Sequence, residues 1–292
     1  MRLVVIIPTI GRKDLLPNTL EVLENQTRPP DEVVISAPDE SHAGPFETDR
    51  FTVTHVFGKR GLCAQRNQAL EKVAAQSDII TFFDDDFLPA RDYLEKLEKA
   101  FQDHPDWVVI RGEAVYDGAT GPGYSVAVGL ALLRDLEERN GGSAEPEVAD
   151  HVGAYGCNMS IRASAIGSLR FDERLPLYGW QEDIDFTSQL RARGHVVGMN
   201  TLCGVHLATK SGRISGVKFG YSQVANAVYL VRKGTVPAGF AYKLMARNIA
   251  ANMVKSVRPE PYIDRFGRFR GNLLAAGHIL MGRVDPEYIL KL

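Results

Sequence analysis

The sequence predicts an α/β fold in which a mainly parallel β-sheet is flanked by helices. Short apolar runs rich in β-branched residues alternate with segments of helical periodicity, the pattern of βαβ units. One apolar run, residues 79–83, is followed at once by Asp84, Asp85 and Asp86. Open α/β sheets bind ligands at the carboxyl ends of their strands, so this is a candidate site. The chain of 292 residues is 45% hydrophobic and 24% charged, an ordinary globular composition.

The individual elements follow from local patterns along the chain. Predicted strands share a short apolar or alternating pattern and are residues 3–7, 32–36, 51–57 and 79–83. Predicted helices share apolar residues at helical spacing and are residues 15–23, 62–75, 93–101, 182–193, 221–233 and 240–257. Residues 37–50 are polar and contain Pro and Gly, which predicts a loop, and the Gly- and Ser-containing residues 211–220 predict a mobile loop.

Composition and motifs exclude several classes of protein. No apolar run is long enough to cross a membrane, and Pro8 stops residues 3–7 before they reach the length of a signal-peptide core. The three cysteines are widely spaced without a CxxC pair, which favours reduced thiols in a cytoplasmic protein. The first strand is followed by neither GxGxxG nor a P-loop. A phosphatase motif D-x-D-x-[TV] is disfavoured because Leu88 occupies its fifth position.

Three acidic residues form the first candidate site. Because side chains alternate along extended backbone, Asp84 and Asp86 are expected to point the same way and Asp85 the opposite way. Two carboxylates on one side form a hard-oxygen site suited to Mg²⁺ or Mn²⁺. An acidic turn that only favours the N-terminus of the next helix would contain the same residues.

A second acidic cluster opens the helix predicted from residue 182. Glu182, Asp183 and Asp185 lie in its first turn, where acids also favour the helix dipole without any catalytic role. Trp180 precedes them and follows a glycine. That position fits either a sugar-stacking residue or a core aromatic, and both interpretations stay open.

The charges are distributed unevenly along the chain. From residue 186 onward there are 16 Lys/Arg and 4 Asp/Glu, a net charge of +12, although the whole chain has −2. In the predicted helix 240–257, Met245, Ile249 and further apolar residues recur every four positions, and Lys243, Arg247 and Lys255 fall on roughly the opposite side. This pattern is typical of a helix on a membrane surface or of one packed on the domain.

These motifs together resemble family 2 glycosyltransferases with the GT-A fold. The resemblance covers roughly residues 1–206. The matching segments are residues 4–12 (VVIIPTIGR), 61–70 (GLCAQRNQAL), 83–89 (FDDDFLP), 156–162 (GCNMSIR), 171–173 (FDE) and 179–185 (GWQEDID). Each motif is weak alone, and their common order and spacing make the match specific.

The resemblance implies transfer of a sugar, with inversion, from a nucleoside-diphosphate sugar to an acceptor hydroxyl. Asp86 and Asp84 would hold Mn²⁺ or Mg²⁺, which stabilises the leaving diphosphate as a Lewis acid. His206 would be a third metal ligand, although a lone histidine is more often structural. Asp183 would be the general base that takes the acceptor proton, and Glu182 would position the acceptor.

The resemblance also implies the binding residues and a domain organisation. Donor contacts would come from Pro8, Thr9, Arg12, Asp39, Arg66, Asn67, Asp84 and Asp85, and acceptor contacts from Trp180, Gly156 and Asn158. Asp39 comes later than the acidic pair that usually follows the second strand in the family, so UDP, GDP and dTDP all stay open as the donor nucleotide. Residues 1–112 would bind the donor, residues 113–206 would bind the acceptor, and residues 207–292 would form a basic helical extension.

The implied partners and the alternatives complete the interpretation. The acceptor would be a polysaccharide, a glycolipid or a lipid-linked oligosaccharide. Family members often act at the inner membrane face, so the basic extension is expected to bind an anionic membrane surface. No nucleic-acid motif occurs, so no nucleic-acid partner is expected, and the sequence indicates no oligomeric state. The alternatives are a nucleotidyltransferase that makes sugar nucleotides and a non-catalytic scaffold that binds them.

Overall fold

The computed structural model describes residues 1–140, 147–210 and 214–292. Within these residues one sheet contains nine strands, namely β1 (Leu3–Pro8), β2 (Glu32–Ala37), β3 (Thr52–Phe57), β4 (Ile79–Phe83), β5 (Phe87–Pro89), β6 (Trp107–Asp117), β7 (Val148–Asp150), β8 (Asn158–Arg162) and β9 (His195–His206). The α-helices in the same residues are α1 (Leu16–Glu24), α2 (Glu40–Ala43), α3 (Leu62–Val73), α4 (Tyr93–Asp103), α5 (Val126–Asn140), α6 (Ala163–Ile166), α7 (Glu182–Leu190), α8 (Gly216–Lys233), α9 (Ala238–Lys255) and α10 (Arg265–Leu280).

The sheet is parallel in one half and mixed in the other. Its order is β3-β2-β1-β4-β8-β6-β9-β5, with β7 paired to β9. Strands β3, β2, β1 and β4 pair in parallel, as the βαβ pattern predicts. Beyond β4 the pairs β4–β8, β8–β6 and β9–β5 are antiparallel, and β6–β9 is parallel. The prediction of an α/β fold is therefore confirmed, and parallel pairing dominates only in the first half of the sheet.

The core lies on both faces of the sheet because its central strands are buried on both sides. In β1, Val4 and Ile6 join one apolar cluster while Leu3, Val5 and Ile7 join the other. Every residue of β1, β2 and β4 is buried. Strands of this kind appear in the sequence as continuous apolar runs, which is why these three are predicted correctly.

The helices predicted before residue 194 are present, with small differences in their bounds. The segment 62–75 is α3 followed by the short 3₁₀ helix Ala74–Gln76, and the segment 182–193 is α7 followed by the 3₁₀ helix Arg191–Arg193. The predicted loop 37–50 contains the short helix α2, which Asp39 caps by accepting a hydrogen bond from the Ser41 amide.

The loop predicted for residues 211–220 is partly wrong. Residues 211–213 lie outside the described part of the chain, and α8 already begins at Gly216. Glycines in α8 and α10 allow the two helices to cross at close range. A Cβ at Gly220 would overlap the carbonyl oxygen of Arg268, and one at Gly271 would overlap the carbonyl oxygen of Val217. These glycines are therefore required by packing rather than by loop geometry.

Helix α9 packs on the domain along only part of the face predicted to be apolar. Met245 and Ile249 pack against buried residues, whereas Met253 is 51% and Val257 is 86% exposed. Lys243 and Arg247 are exposed as predicted. None of the described helices is both long enough and apolar enough to cross a membrane.

Candidate active site

The acidic turn lies at the carboxyl end of β4, where it meets the end of β9. Asp84, Asp85 and Asp86 connect β4 to the short strand β5. Strand β5 pairs with β9 so that Phe87 is opposite His206, the last residue of β9. The Leu207 amide also donates to the Asp86 carbonyl oxygen at 2.9 Å. This pairing brings His206 next to acidic residues that are 120 positions earlier in the chain.

Asp84, Asp86 and His206 form a compact group of metal-ligand type. Each offers one ligand atom, and these three atoms lie within 4.8 Å of one another. His206 Nε2 is 3.4 Å from Asp86 Oδ1 and 3.9 Å from Asp84 Oδ2. Two carboxylates and one imidazole are a donor set that fits Mn²⁺ well and Mg²⁺ less well, because the nitrogen is the softer ligand. The structure thus brings together the three residues predicted to bind a metal.

The electrostatics of this group are dominated by its carboxylates. Burial acts to lower the pKa of His206, but hydrogen bonds donated by its ring to Asp117 and Asp86 and the charges of Asp86 and Asp84 outweigh it and raise that pKa to about 10. Burial acts to raise the pKa of Asp86, yet the contacts with His206 and Arg12 leave it below its ordinary value. A bound cation would take the place of the proton on His206 Nε2.

Asp85 is not part of this group, as predicted, although residues 84–86 form a turn and not an extended strand. Asp85 connects the first loop to the acidic turn. Its carboxylate accepts hydrogen bonds from Thr9 Oγ1 at 2.6 Å and from Arg12 at 2.8 Å. Arg12 also contacts Asp86 Oδ2 at 3.3 Å and donates to the Thr209 carbonyl oxygen at 3.1 Å. Burial, opposed by Arg12, raises the pKa of Asp85 to about 7. Pro8 is buried immediately before Thr9, and the hydrogen bonds of Thr9 and Arg12 hold the predicted donor loop against the acidic turn.

Arg66 connects the acidic turn to the second acidic cluster. Its side chain is 1% exposed, and its guanidinium lies 2.6 Å from Glu182 Oε1 and 3.6 Å from Asp84 Oδ1. It also donates to the Gly156 carbonyl oxygen at 3.0 Å. The rings of Phe82 and Phe171 lie 5.5 Å and 5.2 Å from the guanidinium carbon. A side chain buried in this way holds Glu182 in place, and the contact of Arg66 with a donor stays a prediction.

Asp183 is half-buried at the start of α7, beside the buried Glu182. Its Oδ2 accepts from the Gly156 amide and its Oδ1 from the Ile184 amide, each at 2.8 Å. Burial raises the pKa of Asp183, and these hydrogen bonds together with the charge of Arg66 oppose the rise. Burial also raises the pKa of Glu182 well above its ordinary value. A partly accessible carboxylate with a raised pKa has the properties of a general base.

The loop before α7 has an unusual backbone. Leu177, Gly179 and Gln181 all have positive φ, at 60°, 64° and 70°. For the two residues with side chains this conformation costs free energy, which surrounding contacts must supply. The Leu62 amide donates to the Leu177 carbonyl oxygen at 2.9 Å and Asn226 donates to the Trp180 carbonyl oxygen at 2.8 Å. Strain of this kind is common at functional sites.

The strained loop presents two aromatic side chains beside the second acidic cluster. Trp180 is half-buried and packs edge-on against Phe219 of α8, with ring centroids 5.1 Å apart. Its indole Nε1 is buried and has no hydrogen-bond partner among the described residues. Tyr178 is 51% exposed and lies 5.6 Å from the same Phe219 ring. The sequence analysis singled out neither Tyr178 nor Phe219, and Phe219 falls in the segment predicted to be a loop.

The remaining predicted residues have mainly structural contacts. Asn67 is buried and its amide holds the backbone of Phe171 through both a donated and an accepted hydrogen bond. Asp39 is exposed at the cap of α2. Asn158 is fully buried within β8, and its contact with an acceptor stays a prediction. Gly156 fits its predicted place, since its amide and carbonyl contact Asp183 and Arg66.

Fold and site together define a glycosyltransferase, and the chain belongs to glycosyl transferase family 2. The family model for "Glycosyl transferase family 2" matches residues 4–155, more than half of the chain. This range contains the acidic turn, the first loop and Arg66.

One curated relative and two solved structures illustrate the similarity. The uncharacterized glycosyltransferase YfnE of Bacillus subtilis (strain 168) is 34% identical over 116 residues, which are 37% of this chain and 29% of that protein. The mannosyltransferase PcManGT from Pyrobaculum calidifontis, solved with GDP-Man and Mn²⁺, has a TM-score of 0.55 at 17% identity and covers 99% of this chain and 85% of that one. S. aureus TarS 1–349, solved with UDP-GlcNAc, has a TM-score of 0.56 at 15% identity and covers 98% and 89%. These likenesses confirm the predicted GT-A fold, including its C-terminal helices.

Proposed function

We propose that this protein transfers a sugar from a nucleoside-diphosphate sugar to an acceptor hydroxyl with inversion at the anomeric carbon. The observation that carries the proposal is the contact of Arg66 with both acidic clusters, 3.6 Å from Asp84 and 2.6 Å from Glu182. This contact supports the proposal because it makes the metal-ligand group and the acidic cluster that contains the candidate base neighbours in the fold. A single displacement needs this arrangement, because the leaving diphosphate and the attacking hydroxyl occupy opposite faces of the sugar.

Each cluster has a separate part in the proposed reaction. Asp84, Asp86 and His206 would hold Mn²⁺ or Mg²⁺, which supplies Lewis-acid stabilisation of the charge that develops on the diphosphate. Asp183 would accept the proton of the acceptor hydroxyl, and its raised pKa makes it a stronger base than an exposed aspartate. Glu182, fixed by Arg66, would orient the acceptor beside Asp183. No covalent intermediate with the protein is needed.

The donor is proposed to be a UDP-, GDP- or dTDP-sugar bound by the first half of the chain. The first loop and the acidic turn are joined through Asp85, Thr9 and Arg12, so a nucleotide placed against one contacts the other. Two neighbours of the same fold were solved with GDP-Man and with UDP-GlcNAc, which supports a nucleoside-diphosphate sugar without selecting the base. The acceptor is proposed to be a polysaccharide, a glycolipid or a lipid-linked oligosaccharide, facing Trp180 and Tyr178.

The experiment measures nucleoside diphosphate released with and without an acceptor. A thermal-shift screen of UDP, GDP and dTDP with Mn²⁺ first selects the nucleotide, because a ligand of the native state raises the melting temperature. The matching sugar donors are then incubated with a panel of acceptors, and product configuration is read by NMR. We expect acceptor-dependent release and an inverted product. Sugar-nucleotide synthesis from a sugar phosphate and a nucleoside triphosphate would establish a nucleotidyltransferase instead, and nucleotide binding without acceptor-dependent release would indicate a scaffold.

We further propose that helices α9 and α10 attach the protein reversibly to the inner face of a membrane rich in anionic lipid, from the cytoplasm. Each helix carries a solvent-exposed row at helical spacing that combines apolar and basic side chains. The α9 row comprises Phe240, Lys243, Arg247 and Val254, and the α10 row comprises Phe266, Arg270, Leu273 and Leu280. Exposed apolar residues beside lysine and arginine are typical of interfacial helices.

Charge complementarity favours an anionic surface over a second copy of this chain. Between residues 238 and 284 the acidic residues are Glu260 and Asp264. Glu260 pairs with Lys255 and Arg265, and Asp264 caps α10 through the Gly267 amide. Two such positive surfaces would repel each other, whereas each basic residue near anionic lipid contributes about 1 kcal/mol at low salt.

Flotation with liposomes containing anionic phosphatidylserine tests the attachment. Lys255 is already paired with Glu260, so the test variant changes Lys243, Arg247 and Arg270 to Glu. The control changes the exposed residues Arg50, Lys72 and Lys99 to Glu and has the same net charge. We expect wild type and control to float at low salt and the test variant to remain in solution. Equal behaviour of the two variants would refute a surface on α9 and α10.

A further inference from the structure

Asp117 supports His206 from the side opposite to the acidic turn. It is the last residue of β6, and β6 pairs with β9 so that Asp117 is opposite His206. His206 Nδ1 lies 2.8 Å from Asp117 Oδ1, while Nε2 faces Asp84 and Asp86. The two ring nitrogens therefore have different partners, and the ring orientation is determined by both. No motif in the sequence marks Asp117.

Further contacts hold Asp117 itself in place. Its Oδ1 accepts a hydrogen bond from the Ala119 amide at 2.8 Å, which caps the 3₁₀ turn after β6. The Tyr155 hydroxyl lies 3.5 Å from both Asp117 Oδ2 and His206 Nδ1, and the Tyr155 ring packs edge-on against the imidazole. The carboxylate is only 28% exposed, and the imidazole is 9% exposed. Neither side chain is free to turn toward solvent.

We propose that Asp117 is a positioning residue for the metal, which acts by fixing the tautomer and orientation of His206, with Tyr155 as its second support. A hydrogen bond from His206 Nδ1–H to Asp117 leaves the Nε2 lone pair directed at the space between Asp84 and Asp86. Carboxylates that accept a hydrogen bond from a metal-ligating histidine orient the ring and raise its basicity. Loss of such a carboxylate typically weakens metal binding about 10–100-fold. The proposal rests on the metal-dependent function above and adds residues of the acceptor half to the metal site.

The proposed positioning role of Asp117 differs from that of a merely structural aspartate in one measurable respect. If Asp117 acts through His206, its removal matters only while His206 is present. If Asp117 were only structural, its removal would weaken Mn²⁺ binding to the same extent with or without the imidazole. Alternatively, its removal would lower the melting temperature of the metal-free protein. A double-mutant cycle separates these cases, since contacting residues have coupled effects and independent residues have additive ones.

The experiment titrates Mn²⁺ alone into the full chain and measures free Mn²⁺ by EPR. Asp117→Ala should bind Mn²⁺ about 10–100-fold more weakly than wild type. Asp117→Asn keeps an acceptor oxygen for Ala119 and His206 and should recover part of the affinity, and Tyr155→Phe should have a smaller effect. In a His206→Ala background, Asp117→Ala should cause no further loss. Melting temperatures of the metal-free variants check that each is folded.

The outcomes distinguish this proposal from the function on which it rests. If wild type binds Mn²⁺ and Asp117→Ala binds it equally well, the positioning role is refuted while the metal site stands. Equal losses from Asp117→Ala with and without His206 would also refute it. If wild type and Asp86→Ala both fail to bind Mn²⁺, the metal-dependent mechanism itself is contradicted.

Discussion

Replacing Arg66 by methionine should destabilise the protein strongly, because Arg66 neutralises a buried carboxylate. The Arg66 side chain is 1% exposed and its partner Glu182 is 6% exposed, so water cannot replace the lost ion pair. Methionine is apolar and flexible, and its side chain can pack on the rings of Phe82 and Phe171 that the guanidinium now contacts. The change therefore removes the charge while largely preserving the packing.

The expected magnitude follows from the burial. Removing one partner of a buried ion pair costs about 3–5 kcal/mol, because the other charge is left without compensation. For a chain of this length, each kcal/mol lowers the melting temperature by about 2 °C. We therefore expect Arg66→Met to melt roughly 6–10 °C below wild type. The double variant Arg66→Met/Glu182→Gln removes both charges and should recover most of that loss.

The dependence of protein stability on pH provides a second test of the Arg66–Glu182 ion pair. Burial raises the pKa of Glu182 well above its ordinary 4.5, and Arg66 opposes this rise. A carboxyl with a higher pKa in the folded state binds more protons when folded, so its stabilising contribution is full below pH 4.5 and is lost as the pH rises through the folded pKa. Without Arg66, stability falls more steeply as the pH rises. The difference in stability between wild type and Arg66→Met should therefore be greater at pH 8 than at pH 5.

Calorimetric melting of wild type, Arg66→Met and the double variant at both pH values measures these effects. A single variant that melts within 2 °C of wild type at pH 8, or a double variant no more stable than the single one, would refute the role given to Arg66.

Two further predictions concern the metal and the aromatic residues. Asp86→Ala should lose Mn²⁺-dependent stabilisation by the nucleotide without unfolding, as measured by thermal shift, and wild-type turnover in both this variant and EDTA-treated enzyme would contradict the metal role. Trp180→Ala should raise the acceptor KM and cost less than the roughly 3–5 kcal/mol of a fully buried indole, since Trp180 is only half-buried. Normal kinetics with a large fall in melting temperature would show that Trp180 is only a core residue.

The sequence predicts best those parts of the site that depend on local pattern. The strand before Asp84 is a continuous apolar run, and the structure confirms this strand. Asp85 also lies outside the metal-ligand group, as predicted, although residues 84–86 form a turn and not the extended backbone on which that prediction was based. The helix that starts at Glu182 is also evident from its apolar spacing. These features need only neighbouring residues, so no knowledge of the tertiary structure is required.

Other parts of the site depend on pairings that local pattern does not contain. Asp117 meets His206 only because β6 and β9, 89 positions apart at this contact, pair in parallel. By composition, the glycines at the start of α8 indicate a loop. In the structure they lie in the helix, and their lack of a side chain allows the close crossing with α10. Arg66 lies in a motif that resembles a donor-binding segment, and that motif does not reveal that the side chain is buried between two acidic clusters and contacts Glu182.

The central claim is that Asp183 removes the acceptor proton, and steady-state kinetics of Asp183→Asn, together with its nucleotide affinity, test it most directly. Asparagine has nearly the same shape but no basicity, and loss of a general base typically lowers the rate about 10²–10⁴-fold. We expect kcat to fall by that factor while the dissociation constant of the nucleoside diphosphate in the presence of Mn²⁺ stays at the wild-type value. A variant with normal kcat and weakened nucleotide binding would contradict the account and make Asp183 a donor contact.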